Sequence, residues 1–143
     1  MVTTVHCDIV SAEQSLFSGP VQFVVATGSQ GELGVSPGHA PLLTNLRPGP
    51  VRITKEGGEE EVYYLSGGFL EIQPNIISIL ADSALRADDI DEAAATEAKN
   101  KAEQDISNQG GDFDYSKAAS QLAVASAQLR TIDQLRKKLG TSK

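Results

Sequence analysis

The chain holds few groups that could do chemistry: one thiol, Cys7, two imidazoles, His6 and His39, and a glycine-rich stretch, Gly28-Ser29-Gln30-Gly31-Glu32-Leu33-Gly34. A Cys-His pair could supply a thiolate and its base. Cys7, however, occupies an apolar position in an alternating segment, where a thiol is commonly buried and inert. A structural metal centre needs three or four ligands at suitable spacing, and these residues do not supply them. The glycine stretch lacks the Lys-Ser/Thr ending of a phosphate-binding loop and opens no helix, so its glycines read as turn formers. His39, between Gly38 and Ala40-Pro41, reads as a loop residue that orders its turn. No nucleophile, base and oxyanion set can be assembled. The expectation is a chain with no catalytic residues, no metal and no cofactor.

Charge is more informative. The net charge of −7 argues against nucleic acid, whose phosphates call for clustered Lys and Arg. A single cysteine excludes an internal disulfide and fits a reducing compartment. No stretch approaches the roughly 20 apolar residues of a membrane span, and the first residues show no secretory signal. Within this acidic chain the charge is divided unevenly. Residues 87–114 hold nine acidic and two basic side chains, and residues 115–143 hold one acidic and six basic. Arg130, Arg136, Lys137 and Lys138 give the last segment a cationic end. Two readings stay open: compensation of a helix macrodipole together with attraction to the acidic segment, or a docking surface for an acidic partner.

The elements that carry these residues change character near Arg86. Before it, apolar residues alternate: Val5, Cys7 and Ile9; Val21, Phe23 and Val25; Val51 and Ile53. Apolar β-forming runs follow at 62–65, 69–72 and 76–80. Glu56-Gly57-Gly58, Ser66-Gly67-Gly68 and Pro74-Asn75 between them are turn chemistry. This predicts an antiparallel β-sandwich or barrel over 1–86. After Arg86 the period becomes helical. Asp89 with Glu92 three residues later suggests an N-cap, and Ile90, Ala94, Ala98, Ala102 and Ile106 repeat every four residues. Asn108-Gln109-Gly110-Gly111 ends that run, and a second helix starts near Asp114. Its stripe is close to a heptad, with Ala118, Ala125, Ile132 and Leu139 beside Leu122 and Leu129, and Gly140 is placed as its C-cap. Residues 87–143 therefore read as a helical hairpin. An alanine seam adds little apolar area, about 0.8 kcal/mol per methylene-sized group, while alanine favours helix most of all. Such helices keep their shape and dock weakly, which suits an element that changes position.

Several strings in order resemble one family: Asp8-Ile9-Val10-Ser11-Ala12-Glu13, Leu16-Phe17-Ser18-Gly19, the long stretch Gly31-Glu32-Leu33-Gly34-Val35-Ser36-Pro37-Gly38-His39-Ala40-Pro41-Leu42-Leu43-Thr44, Tyr64-Leu65-Ser66-Gly67-Gly68-Phe69-Leu70-Glu71, and Leu80-Ala81-Asp82. Together they are similar to the ε subunits of bacterial and chloroplast F-type ATP synthases, called δ in mitochondria. The resemblance implies a non-catalytic rotor subunit whose sandwich clamps the γ subunit and rests on the c-ring. Its two helices either fold against the sandwich or extend along γ into the α and β subunits of the head, where they suppress ATP hydrolysis. It puts Glu32 on the c-ring side, lets His39 touch γ, and directs Arg130, Arg136, Lys137 and Lys138 to an acidic part of β. The absence of a transit-like leader favours a bacterial chain, peripheral on the cytoplasmic face of the inner membrane and bound there only through the complex.

One departure stands out. Many members of that family carry Ile/Leu-Asp-x-x-Arg-Ala at the start of the first helix, linked to ATP binding. Here Ile90 and Asp91 are present, but Ala94 stands at the arginine position. A charge-assisted hydrogen bond is worth about 1.5–3 kcal/mol, so ATP is expected to bind weakly or not at all. Two other function classes remain beside the rotor reading. One is a free-standing β-sandwich binding module dimerising through its helices, and the other is a small hydrolase.

Overall fold

The computed structural model describes residues 4–108 and 115–141, with side chains of the last helix described as far as Lys138. Nine strands come first: β1 Val5–Ser11, β2 Ser15–Gly28, β3 Gly31–Val35, β4 Leu42–Leu46, β5 Gly49–Lys55, β6 Glu60–Leu65, β7 Gly68–Gln73, β8 Ile76–Ala81 and β9 Ala84–Arg86. A 3₁₀ turn, Ala87–Asp89, leads to helices α1 Glu92–Ser107 and α2 Tyr115–Thr141. The order of hydrogen-bonded neighbours is β1-β8-β7-β4-β2-β5-β6-β9, with β3 beside β2. β2 pairs with β1 through its first half and with β3 and β5 through its second, so one long strand crosses between the two layers of a sandwich. Most pairings are antiparallel, as the turn chemistry predicts. β1 and β8 are parallel, a long-range pairing between the ends of the strand series that no local turn could reveal.

The core follows the alternation, with one informative exception. Cys7, Ile9, Val51, Ile53, Leu70, Ile77 and Ile79 all face inward. In β2, however, Val21, Val24 and Ala26 are buried while Phe23 is partly exposed. The strand register shifts between Val21 and Phe23. A bulge inserts one residue and turns every later side chain to the other face, which is why the simple alternation Val21-Phe23-Val25 fails halfway.

Gly68 opens β7 at φ +146, and a Cβ there would stand 2.0 Å from the Leu80 carbonyl oxygen. Only glycine permits that approach of backbone to backbone. The glycine-rich stretch closes the β2–β3 hairpin, with Gly28 paired to Gly31 and Gly31 at φ +126.

The helices depart from expectation in three places. Asp91, not Asp89, caps α1: its carboxylate accepts the Ala94 N–H at 3.0 Å, while Asp89 lies in the preceding 3₁₀ turn. In α1 the buried residues are Ala95 and Ala102, seven apart; Ala94 and Ala98 are exposed. The seam thus has coiled-coil spacing on both helices, and four-residue spacing drifts off it. Gly140 lies inside α2, which runs to Thr141. Asn108 is the C-cap of α1. The expected turn residues Gln109, Gly110 and Gly111 and the start at Asp114 lie outside the described residues, as do the side chains of Leu139 and Gly140.

Candidate functional site

Strand β6 shows where the two parts of the chain meet. Four consecutive residues, Val62, Tyr63, Tyr64 and Leu65, are buried, so the strand is covered on both faces. Tyr63 and Leu65 belong to the sandwich core. Val62 and Tyr64 therefore point outward, and that outer surface of β5 and β6 is covered by α2.

α2 has two working faces. Ala118, Ala125 and Ile132, all buried, lie along one side, and Ala125 lines a cleft together with Ala94, Ala95 and Ala98 of α1. At 100° per residue, Ala127 and Thr131 fall on roughly the opposite side, and both are fully buried. On that same side Ala123, Arg130 and Gln134 line a second cleft with Pro48 and Pro50 of the sandwich. α2 is thus a layer between α1 and the sheet. The heptad reading found the first face only. The signal for the second was present in the small residues Ala123, Ala127 and Thr131, four apart.

The cationic residues divide between these faces. Arg130 donates to the Pro48 carbonyl at 3.2 Å. Lys138 donates to the Glu60 carbonyl at the start of β6. Arg136 pairs with Glu92 in the first turn of α1, and Lys137 is exposed. Three of the four thus reach acceptors inside the chain: Arg136 with Glu92 joins the oppositely charged segments, whereas Arg130 and Lys138 donate to backbone carbonyls of the sandwich.

Glu32 and Arg130, expected to serve different partners, line the same cleft of about 470 Å³, together with Arg47 and Gln134. His39 stands in the loop before β4. Its Nδ1–H donates to the Ala40 carbonyl at 2.7 Å and its backbone N–H to Ser36 at 3.2 Å, a loop-ordering role. Ile90, Asp91 and Ala94 line the larger cleft, about 730 Å³, between the two helices. Among the described residues Lys101 is the one cation on its wall, and Asp89 and Asp91 are both present, a poor match to a polyphosphate.

Two polar clusters escaped the sequence reading because strand register creates them. Asp8 and Ser18 are cross-strand partners, and the Ser18 hydroxyl donates to Asp8 at 2.6 Å while His6 Nε2 lies 2.9 Å from the same oxygen. The Ser18 bond, then His6, holds the Asp8 carboxyl below its usual range. These are the residue types of a hydrolytic triad in another arrangement: the serine hydroxyl gives its one proton to the aspartate at 2.6 Å, while His6 Nε2 lies farther from it at 3.3 Å and is not placed as its base. Burial, with the Asp8 charge, pushes the Cys7 thiol up to about 12, which removes it as a nucleophile.

The second cluster closes the sandwich where the helices begin. Arg86 donates to the Leu16 carbonyl at 2.9 Å and to the Tyr63 hydroxyl at 3.0 Å, and lies over the Tyr63 ring. The Tyr63 hydroxyl donates to Glu61, which also pairs with Lys55 at 2.8 Å. Burial pushes the Glu61 carboxyl up, but Lys55, Tyr63 and Arg86 together outweigh it and hold it low.

Among the described residues, several large apolar side chains are exposed. Phe69 and Leu80 pair across β7 and β8, with Leu43 nearby on β4, and all three are more than half exposed.

Comparison with known proteins agrees with this architecture. A chain of the mitochondrial ATP synthase of Euglena gracilis, from a structure of its OSCP/F1/c-ring in rotational state 1, superposes with a TM-score of 0.75 at 20% identity, covering 97% of this chain and 83% of that one. A chain of the central stalk/c-ring of the Tetrahymena thermophila mitochondrial ATP synthase gives 0.64 at 14% identity, covering 90% of this chain and 96% of the other. At such identities these likenesses speak for the fold. Residues 4–87 match the β-sandwich domain of the ATP synthase Delta/Epsilon chain and residues 88–133 match its long α-helix domain. Both halves match in order, and the chain belongs to the ATP synthase Delta/Epsilon chain family.

Proposed function

We propose that this chain is a non-catalytic rotor subunit of an F-type ATP synthase, in which the sandwich is the fixed foot and the helical hairpin is a mobile inhibitory arm. The observation that carries it is the contrast at the β6 interface: a sandwich with its own core, and a hairpin laid on its outer face through alanines and a few cations. Leu43, Phe69 and Leu80 form the kind of exposed apolar patch that marks a protein interface, suited to γ. Glu32, at the β2–β3 hairpin, is suited to the polar rim of the c-ring. The chain then sits at the cytoplasmic face of a bacterial membrane through the complex; no helix among the described residues is long and apolar enough to cross one. When the hairpin leaves the sandwich, Arg130, Arg136 and Lys138 exchange their internal acceptors for an acidic surface of the catalytic head.

The test is ATP hydrolysis by the assembled enzyme with and without residues from Ala87 onward. Removal is expected to raise hydrolysis; equal rates would end the inhibitory reading. Within the hairpin, exposed ion pairs contribute only about 0.2–1 kcal/mol each, so Arg136→Ala alone is expected to change little. Replacing Arg130, Arg136, Lys137 and Lys138 together by alanine is expected to raise hydrolysis clearly, and the inhibition it removes should weaken with salt. Calorimetry with ATP at millimolar concentration is expected to show weak binding or none, and micromolar affinity would overturn that part of the reading.

A further inference from the structure

The docked hairpin covers one group that gains nothing from being covered. We propose that the Tyr64 hydroxyl limits how tightly the hairpin docks, because water satisfies it when α2 is away and no partner does when α2 is down. The proposal rests on the hairpin mobility of the reading above.

Tyr64 is 2% exposed, and its Oη is a buried side-chain polar atom with no hydrogen-bond partner among the described residues. Its cross-strand neighbours are Pro50 and Leu85, whose side chains offer no hydrogen-bonding group. Among the described residues of α2 the buried hydroxyl belongs to Thr131, and it donates to its own helix, to the Ala127 carbonyl at 2.8 Å. The adjacent tyrosine makes the contrast: Tyr63 points into the sandwich, yet its hydroxyl reaches both Glu61 and Arg86. Burial pushes the Tyr64 hydroxyl pKa up, the mark of a desolvated phenol. A phenylalanine would fill the same space without a stranded hydroxyl, so the residue chosen here opposes its own burial. That opposition acts only in the docked form, and it offsets what Arg130, Arg136 and Lys138 contribute to the same form.

The test uses the full-length chain carrying Tyr64→Phe. Spin labels go on cysteines replacing Glu13, in the loop between β1 and β2, and Asn100 on α1, both exposed. Cys7 is fully buried and stays unlabelled. Distances are followed through a urea series below the unfolding transition, so that compact and open populations are both read. Tyr64→Phe is expected to raise the docked-to-open ratio roughly five- to a hundredfold, the effect of removing an unsatisfied buried hydroxyl. An unchanged or lower ratio would overturn the proposal, whatever the assembled enzyme does. If the ratio rises and hydrolysis by the assembled enzyme rises with it, the proposal and the inhibitory reading both stand. If the ratio rises and hydrolysis stays flat, the proposal stands and the inhibitory reading fails.

Discussion

The sandwich and the hairpin solve the same problem, burying a face, with opposite materials. The sandwich buries Ile9, Ile53, Tyr63, Leu65, Leu70, Ile72, Ile77 and Ile79 almost completely. The hairpin buries Ala95, Ala102, Ala118, Ala125 and Ala127, with Thr131 and Ile132 the larger side chains among the described residues. A buried leucine or isoleucine contributes about 1.5–3 kcal/mol, against about 0.8 kcal/mol for one methylene-sized group. The sandwich is therefore stabilised by side-chain packing, and each helix by its own backbone and intrinsic propensity. A part held by packing cannot move without unfolding. A part held together by propensity can leave its dock and remain a helix. The difference in residue size is the physical argument behind the proposal of a fixed foot and a movable arm.

The largest effect is expected in the sandwich. Leu70→Ala should cost about 2–5 kcal/mol, because a cavity remains where a fully buried side chain stood. Urea unfolding of the whole chain measures it, and a loss below about 1 kcal/mol would mean that the sandwich is packed far more loosely than its burial implies.

Ala125→Gly probes the other side. It should cost about 1 kcal/mol, chiefly from helix propensity, and leave the sandwich transition in place. A cost equal to that of Leu70→Ala would show hairpin and sandwich to be one cooperative unit, and the comparison would collapse.

The smallest effect concerns acid. The Glu61 carboxyl titrates below its ordinary value of 4.5 in the folded chain. Its contribution is present above that ordinary value and is lost as pH falls through the lower folded value. Unfolding measured from neutral pH downward should therefore lose stability less steeply in Glu61→Gln than in the wild type. Equal slopes would mean that the Lys55–Glu61–Tyr63–Arg86 cluster contributes nothing to holding the sandwich closed.

How far each part could be read from the chain follows from the range of its forces. The inward set Cys7, Ile9, Val51 and Ile53 was legible because strand alternation is a local geometric fact, whereas the runs at 69–72 and 76–80 did not say which of their residues face inward. Phe23 was misplaced because a bulge depends on the partner strand. The cap at Asp91 was missed by two residues, since Asp88, Asp89 and Asp91 are all chemically fit and the buried 3₁₀ turn at Ala87 decides among them. The cations of α2 were found by composition, but their acceptors, Pro48, Glu60 and Glu92, come from three distant segments. The pairing of Asp8 with Ser18 and the union of Glu32 with Arg130 in one cleft belong to the same class.

The sequence by itself determined the two-part architecture, the turns between the strands, the alanine seam and the segregation of charge. Each of these is carried by residue type and short-range spacing, which bonded geometry and intrinsic propensity translate directly. The tertiary structure alone decided the parallel pairing of β1 with β8 and which acceptors the cations reach. It also decided that Tyr64, one of two adjacent tyrosines, is the one left without a partner. All of these depend on segments tens of residues apart meeting in one register, and only the packed chain fixes that.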